Sequence, residues 1–472
     1  MEDVDENVDM EEDYEQEGPL EARPTIRAVY IRLRYAAINA LQAGEIRELQ
    51  EALEVAENLL VIALAMYAED DLDDEDILMV ILLYQTLEEE LLGLVNWVRP
   101  RPAVVPVDNK DRLIASLSVD EAWALGGFTH DHMNQIFNSL NLPEIISVPG
   151  SITFPSEYGF VAVCAFLSGY CRTQTSAQAF LGRTYDQISR VTQNTLLEII
   201  ERHAQKVYSP AFLLSRAETS NMIFEQKFRD NPNNPDGDDL PEELEGIAII
   251  ADGLFIKSTR SKVGQAAFYN GYRRGHGILF QGYVVADGII VLAGPFPGYM
   301  TDIVAHAHSD VRQRLHVINN QREDNGHHRL KMLCDKIYPV SVDTHALYSN
   351  MHNHVVTERE LALNTVASSV RIAVETSFGK LQEKWSFLRE WRTHQLLKRN
   401  VVAWLTVAAL LCNMHTCLAG SQVYSMMNLA APTLDEFMNF PGWAEEDFAF
   451  DPDEVFGEDG IDHGAEWLIF NE

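Results

Sequence analysis

The chain changes its periodicity once. Up to about residue 230 the apolar residues recur at helical spacing, but Ile247-Ala248-Ile249-Ile250-Ala251 run on without interruption and stop at Asp252-Gly253. A short continuous apolar run bounded by a turn dipeptide reads as a strand buried on both faces. Residues 268–272 and 278–285 then give a second, broken strand, and Asp287-Gly288 is a hairpin turn into a third over 289–293. Helical spacing over about 301–314 follows, then a His-rich polar stretch. Leu330-Lys331-Met332-Leu333-Cys334 is a fourth strand ending at Asp335, and a long helical section over about 358–418 closes the block.

Three strands in hairpin succession, a helix, a fourth strand and further helices is the element order of a ribonuclease-H-like α/β domain with a mixed sheet, here over 246–420. The segment before it, residues 230–245, is rich in Asn, Pro, Asp and Gly and reads as a linker. Residues 1–23 read as an acidic disordered tail, with eleven acids and no Lys or Arg up to residue 22. Three helices fit 24–100, ended by Arg99-Pro100-Arg101-Pro102. A second helical region spans 110–229, and the whole chain reads as α+β.

Within that second region, residues 175–181, the turn Gly182-Arg183-Thr184 and residues 185–203 have the pattern of a helix-turn-helix. Thr184, Gln187, Ser189, Arg190 and Gln193 give the second helix a polar face suited to DNA; the alternative is a helical hairpin inside a structural bundle.

The overall charge opposes a nucleic-acid reading. Lys+Arg 36 against Asp+Glu 71 gives a formal −35, and phosphate neutralisation needs a cationic surface. The charge is unevenly placed, however: 246–420 carries 19 basic and 13 acidic residues, +6, and the remainder is −41. A mildly basic block sits in an acidic surround. Residues 421–472 contain no Lys or Arg and alternate aromatics with acids, as an acidic-aromatic interaction tail does.

Acids fall where chemistry can use them. Asp252 ends the first strand, Asp335 the fourth, and Glu375 lies on the following helix. If the first and fourth strands are neighbours, their carboxylates converge, and a helix crossing the sheet edge adds the third. Three carboxylates suit two Mg²⁺ or Mn²⁺ ions, hard cations that activate a water or 3′-hydroxyl on one side of a phosphodiester and stabilise the leaving oxygen on the other. The alternative is turn chemistry for Asp-Gly and a solvated helix acid for Glu375.

The surrounding residues resemble a known family. Ile250-Ala251-Asp252-Gly253, residues 268–276 (Phe-Tyr-Asn-Gly-Tyr-Arg-Arg-Gly-His), Phe280-Gln281-Gly282, and Gly294-Pro295-Phe296-Pro297-Gly298 with Asp302 are similar to the DDE endonuclease domain of PIF/Harbinger transposases. So are Cys334-Asp335-Lys336-Ile337-Tyr338-Pro339 and Asn364, Arg371, Val374-Glu375, Phe378-Gly379 and Trp385. The resemblance covers roughly 120–418. It implies a ribonuclease-H-like nuclease that cuts and joins double-stranded DNA with Mg²⁺ or Mn²⁺, held by Asp252, Asp335 and Glu375. Asp302 is a fourth candidate, as a ligand or only as a helix N-terminal acid. The family's usual Asp-Gly-Thr-His is here Asp252-Gly253-Leu254-Phe255, Thr301 stands in place of a His, and Cys334 in place of a Gly. The resemblance also implies a nuclear site of action, a Myb-like DNA-binding partner protein and a homo-oligomer; a catalytically silent DNA or chromatin adaptor on the same fold is the alternative.

Arg273, Arg274 and His276 lie beside the acids and suit phosphate contacts, as Lys380, Lys384, Arg389, Arg392, Lys398 and Arg399 do beyond Glu375. A solvated hairpin edge or an ordinary amphipathic helix accounts for them equally well. Five Cys without a Cys-x-x-Cys pair indicate neither a disulfide framework nor a zinc site, and no Gly-Lys-Ser phosphate loop or Gly-x-Ser-x-Gly elbow occurs. No signal peptide stands at the N-terminus and no apolar run approaches a membrane span, so no membrane role is expected.

Overall fold

The computed structural model of the chain describes residues 111–148, 152–260, 265–350, 354–394 and 401–443. The tail and helices expected over 1–100, Lys398 and Arg399, and residues 444–472 lie outside the described residues.

Among the helices that precede the sheet are α1 (His130–Leu140), α2 (Ser156–Leu167), α3 (Gln174–Leu181) and α4 (Tyr185–His203). Their starts follow from side-chain chemistry. Thr129 caps α1, and Thr173 and Thr184 open α3 and α4 as capping boxes, each satisfying backbone N–H groups that a first helical turn leaves unpaired. Gly182, with φ +71°, closes α3, so a two-helix hairpin falls where the spacing places it. The polar residues read as its outward face are partly engaged within the fold. Gln187 completes the Thr184 capping box, Arg183 pairs with Asp111 at 2.6 Å, and Arg190 pairs with Asp186 at 3.2 Å. Between α1 and α2 the helical reading misses a small hairpin, β1 (Ile145–Val148) with β2 (Ile152–Pro155). Four-residue strands with so few buried positions leave too short an alternation to read.

Helix α5 (Ala217–Arg229) leads into the sheet. Its strands are β3 (Ile247–Ser258), β4 (Tyr269–Asn270), β5 (Gly275–Val284), β6 (Ile290–Pro297), β7 (Lys331–Cys334) and β8 (Thr344–Ala346). Strand β5 pairs antiparallel with β3 on one edge and with β4 and β6 on the other, while β7 runs parallel to β3 and β8 parallel to β7. The result is a mixed sheet with β3 at its centre. Strand β3 does not stop at Asp252-Gly253: β5 pairs with it as far as Ser258 opposite His276, so the turn dipeptide is held extended. The three-residue β8 is unmarked in the sequence pattern.

The helix expected over 301–314 is two helices, α6 (Asp302–Ala307) and α7 (Asp310–Asp324), broken at His308-Ser309. The final helical section likewise divides into α8 (Glu358–Lys384) and α9 (Val401–Ala419). Helices α5, α6 and α7 contribute Ala217, Ala305, Val311 and Leu315 to one core with Ala248, Tyr283, Val291 and Met332 of the sheet. Phe378 of α8 fills the space that Gly282 leaves open.

Helix α9 corrects one expectation. At 19 residues and a mean hydropathy of 1.7 it is long and apolar enough to cross a membrane. Of the residues in its most apolar stretch 78% are buried within the fold, packed by α1, α4, α8 and β6, so its all-round apolarity has a core explanation. Part of the stretch read as a C-terminal tail, 421–472, is folded among the described residues. Residues 422–427 and 434–438 are helical, and Phe437 is buried edge-on against Phe212 with ring centroids 5.3 Å apart. The described residues belong to one compact unit that starts at Pro100.

Candidate active site

Register puts the first two acids side by side. Ile250 of β3 is matched with Leu333 of β7, so two residues further along the chain in each case stand Asp252 of β3 and Asp335, just past the end of β7. Strand β7 ends at Cys334, which frees Asp335 from the ladder. The Tyr338 N–H closes a turn onto the Asp335 carbonyl at 3.1 Å. Buried Tyr338 also exchanges hydrogen bonds with the Gln281 side chain of β5 at 3.1 and 3.2 Å. This is the structural content of the Asp-x-x-Tyr-Pro motif: the tyrosine anchors the loop that carries the acid.

Helix α8 brings the third acid. Glu375 pairs with Arg371 one turn earlier, and Arg371 also reaches Asp252, Nη1 to Oδ2, at 3.6 Å. The guanidinium therefore stands between Asp252 and Glu375, and its Nε is buried without a hydrogen-bond partner. The sequence names Arg371 as a position of the family motif without assigning it a role, although the i,i+4 spacing of Arg371 and Glu375 on a predicted helix is a readable signal.

Asp302 approaches differently. It is the first residue of α6, after the Thr301 cap, and its carboxylate lies over Gly253. A Cβ at Gly253 would stand 2.2 Å from Asp302 Oδ1, so only glycine permits this approach. Since Gly253 presents the face of β3 opposite to Asp252, Asp302 reaches the site from the other side of the strand. It pairs there with Arg273 at 3.5 Å.

Burial raises the Asp252 carboxyl above its ordinary pKa, and the Asp302 and Asp335 charges push the same way. The Gly253 N–H, which donates to Asp252 at 2.8 Å, and the Arg371 guanidinium oppose the rise. Asp302 is also raised by burial, against the pull of Arg273 and with a further push from Asp335. The Asp335 charge thus acts on both Asp252 and Asp302, and a cation beside them relieves that repulsion.

Residues 251–413 match the DDE superfamily endonuclease family. The matched stretch runs from the residue before Asp252 into α9 and holds all four candidate acids, Asp252, Asp302, Asp335 and Glu375. No curated protein and no solved structure matches the chain.

The acids of this endonuclease-family region suit a hard divalent cation in kind, since every donor is a carboxylate oxygen. Their spacing is open. Among the described residues no three His, Cys, Asp or Glu side chains stand close enough together to hold one ion as placed. The cation that does stand between Asp252 and Glu375 is Arg371. Removing it with Arg371→Gln leaves those acids without their counter-charge, so a divalent ion gains more on binding the native state. The rise in melting temperature on adding Mn²⁺ is expected to be larger in Arg371→Gln than in the unmodified chain. An equal or smaller rise would show that Arg371 and the metal do not compete.

The basic residues divide. Arg273 and Arg274 lie in the turn between β4 and β5, both exposed, and His276 follows at the start of β5. Burial and the Arg260 charge lower the His276 pKa, so at neutral pH it offers a neutral ring. Lys380 and Lys384 instead turn inward. Lys380 Nζ donates to Thr416 Oγ1 at 2.8 Å and to the Gly420 carbonyl at 3.0 Å. Lys384 Nζ donates to the Gly126 carbonyl and lies 4.6 Å from the Phe128 ring centroid. Burial lowers both amines, Lys384 to about 8. Both are half-buried and hydrogen-bonded within the fold rather than held out toward solvent like Arg274.

Proposed function

We propose that the chain is a transposase-derived DNA endonuclease of PIF/Harbinger type that cuts double-stranded DNA using Mg²⁺ or Mn²⁺. The observation that carries this reading is the placement of Asp252 on β3 and of Asp335 just past the end of the adjacent parallel β7, with Glu375 on α8, within a region matching the DDE endonuclease family. The sheet order β6-β5-β3-β7-β8, with β7 parallel to β3, supports a ribonuclease-H-like fold.

In this reading Asp252, Asp335 and Glu375 hold the metal, and Asp302 supports Asp335 and Asp252 from across β3. The metal supplies Lewis acidity and an activated oxygen nucleophile. Arg273 and Arg274 take phosphate oxygens beside the acids. The α3–α4 hairpin, with Arg190, lies on the duplex outside the cut. A nuclear site of action, a Myb-like partner and a homo-oligomer follow from the resemblance and belong to the same proposal.

One observation favours a second reading, a silent DNA-binding adaptor: Arg371 already neutralises Asp252 and Glu375. The full chain is expected to nick or cut a labelled duplex with Mn²⁺ and to bind Mn²⁺ in a calorimeter. Duplex binding with neither metal uptake nor cutting would establish the adaptor instead.

A further inference from the structure

The acids have a neighbour of different chemistry. Strands β4 and β5 pair Asn270 with Gly275, so residues 271–274 leave the sheet as one tight loop. Asn270 fixes its base, accepting the Arg273 N–H on Oδ1 at 2.8 Å and donating from Nδ2 to the Gly298 carbonyl at 2.8 Å. Arg273 then folds back, its guanidinium 5.4 Å from the Phe255 ring centroid and 3.5 Å from Asp302. The loop is thereby tied to the acidic site on one side and to residues 298–300 on the other.

What projects from this pinned loop is Tyr272, 94% exposed, and Arg274, exposed and in the left-handed region at φ +47°. Two more tyrosines border the loop. Tyr269 is 45% exposed with its ring 5.2 Å from His276, and Tyr299, 41% exposed, sits in the segment that Asn270 holds. Single exposed aromatics are ordinary on protein surfaces. Three tyrosines and a cation on and beside one pinned loop, which Arg273 ties to Asp302, are a different case. An aromatic face with a cation beside it can stack a base and hold its phosphate without regard to sequence. A base inside an intact duplex cannot reach such a face, whereas an unpaired one can.

We propose that Tyr269, Tyr272, Tyr299 and Arg274 form a stacking rim for unpaired nucleotides next to the acids, so that the site engages single-stranded or locally opened DNA beside the scissile phosphate. The proposal rests on the DNA reading above and adds to it which state of the DNA the site takes.

Binding is measured by fluorescence anisotropy with the full chain in EDTA, so that cutting plays no part, on a labelled single-stranded oligonucleotide and on the same sequence as a duplex. Tyr272→Ala is expected to weaken single-strand binding about tenfold, near the weaker end of a base–aromatic stack, and duplex binding less than about twofold. Tyr272→Phe keeps the ring and retains affinity. Arg274→Ala weakens both substrates and reduces the salt slope by about 1. Tyr272→Ala binding both DNAs like the unmodified chain, or losing equally on both, overturns the rim and leaves the DNA reading standing. No binding of either DNA by the unmodified chain overturns both. Tyr272 is almost wholly exposed, so its replacement does not threaten the fold.

Discussion

Asp252→Asn is expected to reduce metal-dependent cutting of a labelled duplex by at least about a hundredfold, the scale on which a single preorganised electrostatic group contributes to a transition state. Asparagine keeps the shape and one acceptor oxygen but removes the charge that a divalent ion needs. Asp335→Asn is expected to do the same, and Asp302→Asn less, because Asp302 reaches the site from across β3. Stability should move the other way. The Asp252 pKa is raised in the fold, so its ionised form is disfavoured there relative to the unfolded chain. Below the ordinary carboxylate range both states hold the proton, and asparagine gains little over aspartic acid. As pH rises through the raised value, the folded protein takes on the cost of the buried charge, and the advantage of Asn should grow and then level off. Urea midpoints of both proteins across that range test the sign. A variant that cuts normally, or one that is less stable at neutral pH than at acid pH relative to the unmodified chain, contradicts the site as described.

How much of this was legible depends on the kind of signal each residue carries. The central strand was readable because Ile247 to Ala251 form a run that only a buried strand explains, and Asp335 because Leu330 to Cys334 form another. Their adjacency was an assumption until the parallel register of Ile250 with Leu333 supplied it. Extents were misread where pairing overrode local preference. Asp-Gly is a turn in isolation, yet β5 carries β3 through it to Ser258. Lys380 and Lys384 show the limit of reading charge from one strand of sequence, since their acceptors, the Gly420 and Gly126 carbonyls, lie far along the chain. Arg371 fell in the reverse category: its spacing to Glu375 was visible, but its reach to Asp252 required the fold.

Trp385→Ala is the substitution expected to cost the most stability, about 3–5 kcal/mol, as for other fully buried large aromatics. Trp385 ends α8 with none of its surface exposed, and its Nε1 donates to the Ala408 carbonyl of α9 at 2.8 Å. The Phe128 ring lies 5.9 Å away between centroids, and a Cβ at Gly126 would stand 2.8 Å from the indole. Trp385→Phe keeps most of the volume and loses the hydrogen bond, so it should cost only about 1–2 kcal/mol. Equal and small losses for the two variants in urea unfolding would show that the indole is not a keystone. The pocket has a wider consequence. Gly126 and Phe128 lie before residue 251, outside the stretch that matches the endonuclease family, and Lys206 likewise donates to the Met438 carbonyl at 2.9 Å beyond its other end. A fragment of residues 246–420 therefore lacks the Gly126 and Phe128 contacts to Trp385 and should fail to fold alone, whereas a chain beginning near Pro100 and retaining residues to 443 should fold. A cooperative melting transition in the 246–420 fragment would show that the helices before the sheet are an addition to the nuclease rather than part of its core.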